Sequence, residues 1–270
     1  MIIPLSVNST RKFKQNYNSM LHNDKLLLFA CDQRIEHLHD DFYGPGIHKD
    51  DAKPDHYFNI ASKNNLVMMA QLGLITRYAQ QYKNIKYVVK LNSKTCLTNK
   101  TKPEQYSEVI NTVDDVLKLS KKANIVGVAY TIYLGSEHEH LMLSKASEII
   151  QQAHENNLVA MLFIYPRGKA IKNETDKHLL AGAVSVANCL GADFVKINPP
   201  KESNLKEIIN AAGNTKIIFA GGKTVSEKAY LEKLNQQLKQ GASGCAVGRN
   251  IHQKSLTDAS KLVKKIFALF

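Results

Sequence analysis

Two lysines stand where lysine is costly. Lys196 in "ADFVKINPP" (192–200) and Lys90 in "YVVKLN" (87–92) each interrupt a short apolar run that reads as a buried strand. A lone strand lysine commonly snorkels, lying along its aliphatic stem with the ammonium at the rim. In the 192–200 stretch, alternation puts Phe194, Lys196 and Asn198 on one face, with Val195 and Ile197 on the other. With the polar face turned inward, desolvation and a neighbouring cation lower the lysine pKa. The neutral amine can then attack a carbonyl.

Further reactive groups close other apolar runs. Asp32 ends "LLLFACD" (26–32), with Glu36 and His37 just beyond. Tyr165 lies in "VAMLFIYP" (159–166), which continues into Arg167 and Gly168. "KIIFAGG" (216–222) ends in Gly221-Gly222 before Lys223, and "GCAVGR" (244–249) ends in Gly248-Arg249. A phenol can shuttle a proton, and Asp32 can orient the amine or accept a proton from a substrate hydroxyl. Glycines at adjacent strand ends let backbone N–H groups approach a phosphate, with Lys223 and Arg249 adding charge. An amine nucleophile, a phenol, a carboxylate and a phosphate cradle together point to Schiff-base carbon–carbon chemistry.

These groups need a scaffold that brings strand ends together. Apolar runs at 26–32, 66–70, 87–92, 125–133, 159–166, 194–198, 216–222 and 244–249 alternate mostly with segments of helical periodicity. Continuous apolar strands between amphipathic helices imply a parallel sheet covered by helices. Eight of them in this length predict a single α/β domain, a (β/α)₈ TIM barrel, over 1–270 with residues 1–24 as an N-terminal extension. The alternative, a doubly wound open sheet, lacks a Gly-rich fingerprint after its first strand.

The 270 residues carry a formal net charge of +12, which suits acidic partners such as phosphorylated metabolites. The lysines are scattered and no aromatic-rich basic patch exists, so no nucleic-acid partner is expected. No apolar run approaches the length of a membrane span, and the amino terminus has no leader pattern, so a cytoplasmic protein without a membrane partner is expected. Cys31, Cys96, Cys189 and Cys245 are far apart; Cys31, Cys189 and Cys245 read as small buried hydrophobes. The paired histidines of "EHEH" (137–140) fall at a helix start and cannot share one face, so no metal site is expected there.

Taken in order, "ACDQRIEH", "ITRY", "VVKLN", "YTIYLGSEHE", "IYPRG", "GADFVKIN", "AGGK" and "VGRNIHQ" resemble the archaeal-type class I fructose-1,6-bisphosphate aldolases of the wider deoxyribose-phosphate aldolase-like group. The similarity runs from about residue 25 to 255. It implies that Lys196 is the Schiff-base lysine, Tyr165 the acid/base tyrosine and Asp32 the aspartate near the first strand's end. It places Gly221, Gly222, Lys223, Gly248 and Arg249 in phosphate-binding loops and makes Arg167 a second anion contact. Phe163 stands where archaeal members often have tryptophan, and Leu134 where they often have proline. The loop "LHDDFYGPGIHKDD" (38–51) also departs from their short form.

The resemblance implies reversible cleavage of fructose 1,6-bisphosphate without cofactor or metal, by a homo-oligomer with a decamer among the candidate sizes. Two other readings fit many of the same residues. One is a sister Schiff-base enzyme making a dideoxy-heptulosonate from a sugar phosphate and aspartate semialdehyde. The other is a non-catalytic phosphosugar-binding barrel, which needs the glycines and Arg249 but not Lys196 with Tyr165. A thiolase-like branch acting on a phosphorylated signalling molecule is more distant.

Overall fold

A computed structural model describes residues 10–97 and 104–270. Eight parallel strands follow the expected runs: β1 Lys25–Ala30, β2 Val67–Gln71, β3 Lys86–Lys90, β4 Ile125–Leu134, β5 Val159–Pro166, β6 Phe194–Ile197, β7 Lys216–Ala220 and β8 Gly244–Val247. Each pairs with the next, and β1 pairs with β8 from Leu26↔Gly244 to Phe29↔Val247. That closure makes a barrel and excludes the open doubly wound sheet.

The strands are apolar throughout because both their faces are covered. One face, including Leu27, Phe29, Met68, Val89, Leu162, Val195 and Ile197, packs under the surrounding helices. The other, including Leu28, Met69, Val88, Met161, Phe194 and Ile218, fills the barrel. Phe194 therefore points inward, and strand alternation carries Lys196 with it.

The amino-terminal extension has a structural task. Residues 1–9 lie outside the described part, but Arg11–Ser19 forms a helix whose N-cap, the Thr10 side chain, accepts from Phe13 N–H at 3.1 Å. Phe13, Tyr17 and Met20 fall on one helix face and enter the barrel-interior cluster, with Tyr17 stacked on Phe194 at 5.3 Å between centroids. The helix plugs the end of the barrel opposite the strand carboxyl ends. A tight hairpin with Asn23 and Asp24 in left-handed conformation then turns the chain into β1.

One expectation needs correction. Cys189 is exposed, unlike Cys31 and Cys245, because the helix Lys177–Leu190 buries Leu180, Ala181, Ala183, Val184 and Ala187 and turns position 189 outward. His138 stands at the N-cap position of the helix Glu139–Glu155, without a side-chain capping bond, and His140 lies within it. Among the described residues no cluster of His, Cys, Asp and Glu is placed to hold a metal ion. No helix there is long and apolar enough to cross a membrane.

Candidate active site

The carboxyl ends of the strands enclose a cavity of about 170 Å³. Lys196, Tyr165, Asp32, Arg167, Gly221, Gly222, Gly248 and Arg249 all line it. So do Gln33, Glu36 and Phe163. The barrel register places the centre: Phe163 is the Cα partner of Lys196, and Tyr165 that of Tyr133. Lys196 Nζ lies 4.3 Å from the centroid of the Phe163 ring, over the ring face, and the Tyr165 oxygen is close enough to raise its pKa. The aromatic face and the phenol hold the amine without closing it off from the cavity.

Lys90 approaches the same ring at 5.7 Å but is wholly buried. Its ammonium donates to the Asn92 carbonyl at 2.6 Å and lies 4.0 Å from Glu36 Oε1. Asn92 is itself buried and bridges strand ends: its amide donates to the carbonyls of Ser107 and Thr131, and its oxygen accepts from Thr131 N–H. Asp32 is held through its main chain, where its carbonyl accepts from the Gln71 amide at 3.0 Å.

Electrostatics separates the two lysines and reverses one expectation. For Lys196, burial acts to lower the pKa. The Tyr165 oxygen, Asp32 and Glu36 outweigh it, so the net direction is above the ordinary lysine value. For Lys90, burial prevails over Glu36 and Asp32, helped by repulsion from Lys196, and the direction is downward. The lowered pKa anticipated for Lys196 thus belongs to Lys90, because the Tyr165 oxygen adds to the two carboxylates at Lys196 and has no counterpart at Lys90. Glu36 is pushed up by burial and by Asp32, with both lysines pulling against them. Burial chiefly pushes Tyr165 up, which keeps it a phenol.

At the phosphate end, the guanidinium of Arg249 lies 3.5 Å from Asp41, which also bonds to His37. Arg249 Nε is buried with no hydrogen-bond partner among the described residues, an open donor at the cavity. Asn250 links the two glycine loops: its amide lies 3.4 Å from the Gly221 carbonyl and 3.3 Å from the Lys223 carbonyl, and its oxygen accepts from Val225 N–H. Lys223 itself is exposed and does not line this cavity. Arg167 lines it, lies 5.4 Å from the Tyr165 ring centroid, and makes a bidentate pair with Glu174 at 2.9 and 2.7 Å. The Arg167 loop is fixed by tight packing, since a side chain at Gly168 would fall 2.2 Å from the Gly135 carbonyl oxygen.

Sequence reasoning gave no role to Glu36, Phe163 or Gln33 in the cavity. For Glu36 a signal existed: it follows Asp32 by four positions across the one-turn helix Gln33–Glu36, which puts both carboxylates on one side. The arrangement can hold a nucleophilic amine, a phenolic proton carrier and two carboxylates beside an anion site.

Comparison with known proteins gives a consistent result. A profile describing DeoC/LacD family aldolases matches residues 26–254. The chain is 48% identical to a Methanocaldococcus jannaschii protein named fructose-bisphosphate aldolase/6-deoxy-5-ketofructose 1-phosphate synthase, covering 99% of this chain and 89% of that one. The solved fructose-bisphosphate aldolase of Slackia heliotrinireducens superposes with a TM-score of 0.94 at 43% identity, covering 99% of this chain and 89% of that chain. An archaeal fructose-1,6-bisphosphate aldolase, solved with its catalytic lysine covalently bound to the carbinolamine intermediate, superposes at 0.83 with 27% identity. That match covers 94% of this chain and 99% of the other.

Proposed function

The chain belongs to the DeoC/LacD family of aldolases, and from that premise we propose that it is a metal-independent class I enzyme cleaving fructose 1,6-bisphosphate reversibly to dihydroxyacetone phosphate and glyceraldehyde 3-phosphate. One observation carries the reading: Lys196 reaches the cavity over the Phe163 ring, beside Tyr165, Asp32 and Glu36.

In this reading Lys196 first gives up a proton, because its pKa lies above the ordinary value. Glu36, a carboxyl pushed upward by burial, can take it. The neutral amine attacks the C2 ketone, and loss of water yields a protonated imine. As the C4 hydroxyl loses its proton, the C3–C4 electrons flow into the imine and glyceraldehyde 3-phosphate leaves. Tyr165 carries the proton to C3 of the resulting enamine, and hydrolysis frees dihydroxyacetone phosphate and the amine. Asp32 orients the substrate hydroxyls. Backbone N–H groups around Gly221, Gly222 and Gly248, with Arg249, bind the 1-phosphate.

Cleavage of fructose 1,6-bisphosphate in the presence of excess chelator tests this reading, and full activity is expected. Activity abolished by chelation, or no release of dihydroxyacetone phosphate, would overturn it. The double name of the 48% identical relative favours a second reading, in which the same lysine serves synthesis of 6-deoxy-5-ketofructose 1-phosphate. Formation of that product with a higher kcat/KM than bisphosphate cleavage would establish the second reading over the first.

A further inference from the structure

Behind the phosphate end lies a buried polar chain that the proposed reaction does not use. His252 and Asp51 are both fully enclosed. His252 Nδ1 and Asp51 Oδ2 share a hydrogen bond at 2.7 Å, and the ring's Nε2 lies 3.1 Å from Gln33 Oε1, which can only accept. The imidazole is clamped, stacked on Phe42 at 5.0 Å with an interplanar angle of 17° and set edge-on to Tyr57 at 5.5 Å. Asp51 is tied down in turn, since Arg34 donates to its carbonyl at 2.6 Å. The Arg34 guanidinium lies over the Phe42 ring at 4.4 Å.

This chain ends at the cavity. Gln33 lines it, and its amide rests directly against Gly248. A Cβ at Gly248 would fall 2.4 Å from Gln33 Oε1 and 2.6 Å from Nε2. The Gly248 backbone, at φ −115° and ψ −92°, lies outside the usual α and β regions, and the Gln33 amide also fills the space a side chain there would take. With Oε1 accepting from His252, the amide nitrogen of Gln33 is left to donate beside the Gly248–Arg249 strand end. Burying two ionisable groups to hold one neutral amide is a costly arrangement unless that amide's orientation matters.

We propose that Gln33 is a phosphate-binding residue of this site and that His252 and Asp51 are positioning residues that keep its N–H donors turned toward the anion. The inference rests on the aldolase reading, whose phosphate end it completes. It also accounts for the "DQ" that closes the first strand and the "VGRNIH" that follows the last: the two stretches meet where the barrel closes.

Saturation of borohydride trapping, read by intact mass, tests this on the full chain with two ketones, dihydroxyacetone phosphate and dihydroxyacetone. The Gln33→Glu variant still accepts from His252 but turns a carboxylate oxygen toward the phosphate. Its half-saturating concentration should rise at least about tenfold more for dihydroxyacetone phosphate than for dihydroxyacetone. Gln33→Met should show a smaller rise of the same selectivity. The double variant His252→Phe/Asp51→Asn, which keeps the stacking and removes the buried carboxylate, should resemble Gln33→Met. No adduct in the unmodified protein would refute the aldolase reading itself. Trapping that is normal there and equally half-saturated in Gln33→Glu, or weakened alike for both ketones, would refute the phosphate role.

Discussion

Lys90 on β3 and Lys196 on β6 approach the same Phe163 ring, at 5.7 and 4.3 Å from its centroid. Their surroundings differ. Lys90 is sealed and spends its ammonium on the Asn92 carbonyl and Glu36. Lys196 reaches the cavity and is paired with a phenol. Burial drives the first pKa down, while the oxygens around the second carry it up. Judged by basicity alone, Lys90 would be the better resting nucleophile; judged by access and by a proton carrier at hand, Lys196 is. In the proposed reaction Lys196 does the chemistry and Lys90 balances charge, since Lys90 helps keep the Glu36 carboxylate ionisable and opposes protonation of Lys196.

Substitutions that separate the two roles have graded effects. Lys196→Met should lower kcat by about 10⁴-fold or more, since neither general acid–base catalysis nor phosphate binding replaces a covalent intermediate. Steady-state cleavage assays check this. Tyr165→Phe should keep imine formation but slow turnover by about 10²–10⁴-fold, the usual worth of a positioned acid–base group. Burst amplitude measured against the steady-state rate separates those steps.

Lys90→Met sharpens the comparison through pH. Only the neutral amine attacks, so imine formation rises with pH toward the elevated pKa of Lys196. Lys90 and Lys196 repel one another, so removing Lys90 raises that pKa further and moves the rising limb to higher pH. At neutral pH the trapping rate should fall about tenfold for each pH unit the limb moves. A limb that stays in place or moves to lower pH contradicts the electrostatic role. Phe163→Leu should have the smallest effect. It removes the ring face from both ammonium groups, slowing turnover by roughly two- to tenfold and costing about 1–3 kcal/mol of stability by denaturant titration.

Much of this was legible in the sequence, for physical reasons. A strand in a closed barrel is apolar on both faces, so each run between helical segments marked one strand. The strict period of two then fixed Lys196 on the same side as Phe194. The resemblance to class I aldolases agreed with the family match. Less legible were properties set by partners distant in sequence. Glu174 engages Arg167 across a loop, and Asp41 engages Arg249 from the segment 38–51. The sign of the Lys196 shift depends on how many oxygens converge on it, which no single strand encodes. The helix Arg11–Ser19 was hidden by its polar composition, although Phe13, Tyr17 and Met20 stand at helical spacing. Lys223 sits beside two glycines as a phosphate ligand would, yet its side chain turns to solvent.

The most direct measurement is peptide mapping by mass spectrometry after borohydride reduction with fructose 1,6-bisphosphate. It asks which of the two lysines forms the carbon–nitrogen bond. A single adduct is expected, on the peptide containing Lys196, and none on the peptide containing Lys90. An adduct on Lys90, or turnover of the bisphosphate with no reduced lysine, would contradict that expectation.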